Sequence, residues 1–163
     1  MEFINIGKIV NTHGIKGELR ILSDFRHKDK VFKKGMKLYV GKEKEEFTIN
    51  SYRFHKIFDM VTFKGFNNIN DVLYLKGRQV YINKEDLVLD DGEVYIEDLI
   101  GYDVIIGEKI LGKVTGVMYN SKANDNLKVG DVLIPYVKEL IIKIEDNKIY
   151  FQDIGGLLWK LIY

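Results

Sequence analysis

Residues 141–152 read IIKIEDNKIYFQ, and this stretch decides the fold class. Two runs rich in β-branched and aromatic residues flank a central Asp-Asn dipeptide at 146–147. Both residues of the dipeptide tolerate the positive φ that a two-residue loop of type I′ requires. The pattern therefore predicts a β-hairpin with strands over 141–145 and 148–152.

The register of this hairpin follows from its apolar residues. A two-residue loop places Ile144 opposite Ile149 and Ile142 opposite Phe151, all on one face. Glycine punctuates the rest of the chain, with 15 glycines in 163 residues. Many short strands separated by such turns are typical of a small barrel or sandwich, so a mainly β fold is expected.

Short strands of the same type are predicted in the part of the chain that precedes this hairpin. They are expected at 4–11, 18–23, 37–40, 46–54, 56–63, 79–82, 103–106, 113–119 and 132–134, with a polar loop at 120–126. A short helix should begin at Asn68, which with Asp71 imitates a capping box, and stop at Gly77. Its apolar residues Val72, Leu73 and Leu75 should pack inward. A second helical turn is expected near 28–33.

The charge of the chain changes sign near residue 83. Residues 1–82 carry 16 Lys and Arg against 9 Asp and Glu, a net of +7, whereas residues 83–163 carry 9 against 15, a net of −6. The polar, acidic stretch 83–92 is predicted to be a linker between the modules 1–82 and 93–163. A basic module suits phosphate and an acidic one suits a basic protein. Alternatively, the halves mainly attract each other, or the split is compositional drift.

Residue content argues against several classes of site. The chain has no cysteine, which excludes disulfides and thiol chemistry and fits a reducing cytoplasm. His13, His27 and His55 lack a metal-ligand spacing, and no serine lies in a G-x-S-x-G setting, so no catalytic residue, metal or cofactor is expected. No run of about 18 apolar residues and no basic-then-apolar start is present, so neither a membrane span nor a secretory leader is expected.

Two further motifs resemble chemical sites only in part. The sequence GEKILGK at 107–113 matches most of a P-loop, but Val114 stands where magnesium binding needs Ser or Thr. The segment that follows alternates like a strand, so a glycine-flanked β-turn is the better interpretation. The paired carboxylates at 90–91 and 97–98 lack an apolar pocket that would separate their pKa values, which favours a solvated turn and a strand entry.

Two basic stretches in the first half are candidates for RNA contact. Lys8, His13, Lys16 and Arg20 lie among glycines that allow close backbone approach, and could face phosphate oxygens. The alternative is a hairpin with incidental lysines. A second stretch, 25–37, interleaves six cations with Phe25 and Phe32. It suits base stacking and charge, or else its phenylalanines are core and its lysines a solvated face.

Several motifs together resemble the RimM family of ribosome maturation factors. The segments Gly7-Lys8-Ile9-Val10 and His13-Gly14-Ile15-Lys16-Gly17-Glu18-Leu19 are similar to the family's opening signature. The later segments similar to its C-terminal PRC-barrel domain are Asp98-Leu99-Ile100-Gly101 with Val104, Gly112-Lys113-Val114, Ala123-Asn124-Asp125 with Leu127 and Val129, and Leu133-Ile134-Pro135. Their order and spacing run from about residue 4 to about residue 158.

This resemblance implies two small β-barrels, a six-stranded one like those of translation factors and a PRC barrel, with one or two short helices. It implies a non-catalytic monomer of the cytoplasm that binds ribosomal protein S19 in the small-subunit head. It further implies proximity to 16S rRNA and a role in its processing and in head assembly. The alternative is an adaptor barrel that binds a partner outside translation.

Four residues of the second half are the candidate protein contacts. They are Tyr95, Asp98, Asn124 and Asp125. Tyr95 is amphipathic and suits an interface anchor, although it could instead pack over a barrel end. The chain departs from the family here, since Glu93 is followed by Val94 and Tyr95 where two aromatics are common. The apolar tail 155–163, GLLWKLIY after its first glycine, either closes the core or docks elsewhere.

Overall fold

A computed structural model gives the structure of residues 1–120 and 122–153. The chain divides into two units, residues 1–90 and residues 91–163, and each unit is described by itself. The division falls inside the acidic stretch 83–92. The apolar tail 155–163 lies outside the described residues.

Alternating inward and outward residues build the first unit into a barrel. Its strands are β1 (Phe3–His13), β2 (Glu18–Leu22), β3 (Lys37–Val40), β4 (Glu45–His55), β5 (Phe58–Phe63) and β6 (Gln79–Asn83). They close in the order β1-β2-β5-β4-β3-β6. Leu19 and Ile21 of β2 are fully buried, as expected for one face of a strand. The predicted mainly β fold class is confirmed, with a six-stranded barrel in this unit.

The turn between β1 and β2 is fixed to the rest of the barrel by its backbone. The N–H of Ile69 donates to the carbonyl of Ile15 over 2.9 Å. Gly17 has a φ of +87°, and a Cβ there would lie 2.5 Å from the carbonyl oxygen of Phe66. Only glycine fits this position without moving backbone.

Two short helices lie in the barrel connections. They are α1 (Lys28–Val31) and α2 (Ile69–Val72), and α2 continues into a 3-10 turn, Leu73–Leu75. The side chain of Asn68 caps α2 by accepting from the N–H of Asn70 over 2.8 Å. Val72 and Leu75 are buried, but the expectation for Leu73 is wrong, because its side chain is 47% exposed. Three residues per turn put 72 and 75 on one side and 73 on another.

The described residues of the second unit, 91–120 and 122–153, form two sheets around one core. Its strands are β7 (Asp103–Ile106), β8 (Lys109–Lys113), β9 (Gly116–Met118), β10 (Asn126–Val129), β11 (Val132–Pro135), β12 (Ile141–Glu145) and β13 (Lys148–Phe151). The sheet orders are β12-β13-β7-β8 and β11-β10-β9, and β13 runs parallel to β7. Phe151 of one sheet and Leu127 of the other are fully buried in the shared core.

The β12–β13 hairpin confirms the predicted turn and half of the predicted register. Asp146 and Asn147 have φ values of 53° and 58°, and Ile144 lies opposite Ile149. The other predicted pair is wrong: Ile141, not Ile142, lies opposite Phe151. A register shift between 141 and 143 inserts one residue, as a β-bulge does, and leaves Ile142 61% exposed.

The region around the partial P-loop motif is a hairpin. Gly107 has a φ of +63°, and β8 then pairs antiparallel with β7. The single strand expected at 113–119 is wrong, because β8 ends at Lys113 and β9 begins at Gly116. Val114 lies buried between the two strands. β10, which extends from the end of the expected polar loop, was not predicted.

Candidate binding surfaces

The outer face of β1 and β2 brings two of the predicted RNA-side residues together. Arg20 Nη2 lies 2.6 Å from His13 Nδ1. Arginine has no acceptor, so the guanidinium donates and Nδ1 of His13 accepts in this contact. The guanidinium also lies 5.7 Å from the centre of the Phe58 ring. Arg20 Nε is buried and has no hydrogen-bond partner among the described residues.

The other two predicted cations lie at opposite ends of the same ladder. Lys8 is exposed on β1 opposite Leu22, the last residue of β2. Lys16 is exposed in the turn that precedes Glu18, the first residue of β2. The structure therefore gathers His13 and Arg20 into one contact and leaves Lys8 and Lys16 as separate surface charges.

Strand β4 adds two residues that the sequence had not indicated. Arg53 donates to both carboxylate oxygens of Glu18 over 2.9 and 2.7 Å, and the His55 ring lies 6.3 Å from the His13 ring. The hydrogen bond from Arg53 lowers the pKa of Glu18, and burial opposes this effect. In the sequence, only the two-residue spacing of Arg53 and His55 on one strand could indicate that they share a face. Nothing local indicates the contact of Arg53 with Glu18, because 35 residues separate them.

A buried carboxylate anchors the end of the β4–β5 hairpin to α1. Asp59 is fully buried, and its carboxylate lies 2.8 Å from Lys28 Nζ. It also accepts a 2.7 Å hydrogen bond from the Tyr52 hydroxyl. Burial, and then this hydrogen bond, raise the pKa of Tyr52. The Tyr52 ring stacks on Phe32 with 5.8 Å between centroids.

The second basic stretch, residues 25–37, was predicted either to contact RNA or to combine core phenylalanines with a solvated lysine face. The structure supports a structural role for some of its residues. Phe32 is core, being 3% exposed. Lys28 and Lys30 form ion pairs with Asp59 and Asp90 at 2.8 and 2.7 Å. At least these two lysines therefore serve the fold as well as the charge of the surface.

In the second unit, two tyrosines hold one carboxylate. Tyr95 donates to Glu97 Oε2 over 3.1 Å, and the Tyr119 hydroxyl donates to Glu97 Oε1. Burial, and then the hydrogen bond to Glu97, raise the pKa of Tyr119. The 3-10 turn Ile96–Leu99 positions this group, with the N–H of Asp98 donating to the carbonyl of Tyr95 over 2.9 Å. Neither Glu97 nor Tyr119 was among the predicted site residues.

The remaining predicted protein contacts differ in exposure. Asp98 and Asn124 are exposed, and Tyr95 is half-buried. Asp125 is only 7% exposed, and its carboxylate accepts from the N–H of Asn120 over 2.9 Å. Its own carbonyl accepts from the N–H of Tyr136 over 2.9 Å. Asp125 therefore fixes the loop that presents Asn124.

Within residues 1–120 and 122–153, no three His, Cys, Asp or Glu side chains converge as metal ligands. No helix in the same ranges is long and apolar enough to cross a bilayer.

Fold and surfaces together define a class: a mainly β protein of two small modules that carries charged and aromatic surface clusters. Its residues 4–87 match the family model described as the RimM N-terminal domain. Relatives named ribosome maturation factor RimM occur in Exiguobacterium (35% identical, over 97% of this chain and 98% of theirs) and Staphylococcus aureus (38%, over 95% and 98%). Another, from Geobacillus kaustophilus, is 36% identical over 96% of each chain. The chain belongs to the RimM family of ribosome maturation factors.

Two solved structures show a more distant likeness. A RimM described as a 16S ribosomal RNA processing protein, from Pseudomonas aeruginosa, is 21% identical, with a TM-score of 0.48 over 93% of this chain and 97% of that one. The N-terminal domain of RimM from Thermus thermophilus is 19% identical, with a TM-score of 0.47 over 55% of this chain and 98% of that one.

Proposed function

We propose that this chain assists 16S rRNA processing and assembly of the small-subunit head by binding ribosomal protein S19 through its second unit. The first unit would lie near the rRNA. The observation that carries the proposal is the similarity to ribosome maturation factors over 95–97% of the chain, which includes both units. The chain acts as a cytoplasmic monomer and catalyses no covalent reaction. Its effect is limited by the difference in its affinity for immature and mature subunits.

The protein-binding surface consists of Tyr95, Asp98 and Asn124. The buried Asp125 stabilises the loop that carries Asn124 through its hydrogen bond with the N–H of Asn120. Glu97 is held by two tyrosine hydroxyls, so its position is set before a partner arrives. Residues 91–163 carry 8 Lys and Arg against 12 Asp and Glu, a net of −4. This charge complements a basic ribosomal protein and favours rapid encounter with it.

The RNA-facing surface is the outer face of β1 and β2 with Lys8, His13, Lys16 and Arg20. Residues 1–90 carry 17 Lys and Arg against 12 Asp and Glu, a net of +5. Cations of this kind position a protein on phosphate without reading sequence. The surface therefore supports proximity to rRNA rather than recognition of a particular base.

A pull-down from lysate tests the protein-binding surface. The full-length chain should recover the S19-family protein, and Tyr95→Ala should lose it. Tyr95→Phe keeps the ring and removes the hydroxyl that donates the 3.1 Å hydrogen bond to Glu97, so it should lose less. Tyr150→Ala, which removes another half-buried tyrosine of the same unit, is the matched control and should bind normally.

Salt and sedimentation separate this function from its rivals. If only RNA is recovered and all of it is lost at raised salt, the protein-binding surface is wrong. An adaptor with a partner outside translation would stay at the top of a gradient in which a maturation factor travels with small-subunit precursors. Turnover of precursor RNA by the purified chain alone would contradict the non-catalytic role.

A further inference from the structure

The end of the β4–β5 hairpin presents large apolar side chains to solvent. Phe54 is 59% exposed and Ile57 is 63% exposed. The first part of β4, residues 45–48, pairs with β3, whereas the described pairing of residues 49–55 is with β5. Residues 59–61 of β5 also pair with β2, so over residues 52–54 β4 is the outer strand of a three-stranded region and only the turn extends beyond it. Exposed apolar groups in such a place indicate contact with a partner.

The charges around this end are mainly positive. Lys56 lies in its turn, and Lys28 Nζ is 5.5 Å from the centre of the Phe54 ring. Arg53 and His55 alternate with Phe54 along β4 and lie on the other face. The neighbouring carboxylates, Glu18 and Asp59, are already bound by Arg53 and Lys28. Lys56 is exposed at the turn of the hairpin. Since those two ion pairs cancel, Lys56 leaves the hairpin end with a net positive charge, on a unit whose own net charge is +5, and this suits an anionic partner.

The neighbours of Phe54 on the same face of the hairpin hold that face in place. Asp59 binds Lys28 and Tyr52, and Tyr52 stacks on Phe32, as described above. These contacts fix the strand that carries Phe54 before any partner binds. An exposed ring on a fixed support loses little conformational entropy on contact, which favours affinity.

We infer that the hairpin end binds single-stranded RNA, with one unpaired base stacked on Phe54 and the neighbouring phosphates near Lys56 and Lys28. This inference deepens the proposed function and rests on its RNA-facing unit. A flat aromatic side chain among cations is the arrangement that binds single strands without regard to sequence. A neutral or basic protein partner would use the apolar groups but would leave the positive charge unmatched.

Binding of a labelled single-stranded RNA of about eight nucleotides to the full-length chain tests this directly, since one small β module covers about 4–16 nucleotides. Phe54→Ala should raise the Kd about tenfold, in the range that loss of one stacked base produces. Phe54→Trp should bind at least as tightly as the unchanged chain. Ile110→Ala, which removes a 70% exposed apolar residue of the second unit, is the control and should leave the Kd unchanged.

A second variant isolates the charge. Lys56 has a φ of +59°, a conformation that glycine adopts without strain, so Lys56→Gly keeps the turn. It should weaken RNA binding two- to fivefold and lower the slope of log K against log salt by about one.

Four results would overturn the inference: no binding of the RNA by the unchanged chain, an unchanged Kd in Phe54→Ala, full binding by Phe54→Leu, or equal binding of duplex RNA. Cross-linking from position 57 to a protein but not to RNA would also overturn it. Failure of this inference is distinguishable from failure of the proposed function. If the chain still travels with small-subunit precursors, only the hairpin contact is wrong.

Discussion

At the scale of single residues, Asp59 links strand β5 to helix α1 through a fully buried charge. Asp59→Ala leaves the Tyr52 hydroxyl without its acceptor and Lys28 without its counter-charge. We expect a loss of about 2–4 kcal/mol in the free energy of unfolding, because a buried group that loses its partner keeps its desolvation cost. Urea denaturation measures this loss.

The matched control is Asp29→Asn, which changes a carboxylate of α1 that is 73% exposed. It should alter stability by less than about 0.5 kcal/mol, as surface changes usually do. Equal stability of the two variants would contradict the anchoring role of Asp59. A double-mutant cycle with Lys28→Met would then show whether the pair interacts at all.

Glu18 gives the barrel a pH-dependent contribution to stability. Arg53 lowers the pKa of Glu18 below its usual value of 4.5, so the folded state favours the ionised carboxylate. The contribution is fully present above pH 4.5 and is lost as the pH falls through the lower folded-state pKa. Glu18→Gln should therefore melt below the unchanged chain at pH 7, and the two melting temperatures should converge in acid. A constant difference in melting temperature down to about pH 2 would contradict this assignment.

At the scale of elements, the β1–β2 turn depends more on Gly17 than on Gly14. Gly17→Ala places a Cβ 2.5 Å from the carbonyl oxygen of Phe66 at a φ of +87°, so backbone must move. Gly14→Ala meets the same left-handed conformation, with a φ of +70°, but no atom lies within 4 Å. We expect about 1 kcal/mol for Gly14→Ala and at least about 3 kcal/mol for Gly17→Ala, measured by thermal unfolding. Equal losses would show that the contact with Phe66 costs nothing.

The elements also show what the sequence could and could not predict. Strands such as β3, and the Asp146-Asn147 turn, follow from local alternation and turn chemistry, and both were predicted correctly. The bulge at Ile142 was not predicted, because an inserted residue changes the pairing but not the composition of the strand. β8 was missed because its flanking glycines favour a turn.

The candidate site was less predictable than the fold, because several of its contacts join residues that are far apart in the sequence. Lys8, His13, Lys16 and Arg20 are near one another in sequence, so a motif could group them. Their proximity to RNA remains a prediction, as do the protein contacts. Barrel closure is what brings Arg53 to Glu18, and no local pattern encodes a contact between residues 35 positions apart. The Tyr119 contact with Glu97 has the same origin, with 22 positions between them.

At the scale of the whole molecule, the two units carry opposite net charge, +5 for residues 1–90 and −4 for residues 91–163. Each proposed surface draws all of its residues from one unit. A ribosomal precursor offers both phosphate and basic protein, so the chain could engage it through two sets of contacts at once. Joint binding of this kind multiplies weak affinities, because the second contact forms within an existing complex.

This arrangement predicts that changes on the two surfaces act independently on their own partners. Asp98→Asn should weaken capture of the basic ribosomal protein and leave the Kd for single-stranded RNA unchanged, and Lys56→Gly should do the reverse. Binding of each isolated partner to the double variant should equal that of the corresponding single variant, because sites without shared residues have additive free energies. Retention on precursor particles should fall by the product of the two effects. If one single variant retained precursors like the unchanged chain and the double variant behaved like the other single variant, only one of the two surfaces would contact the particle.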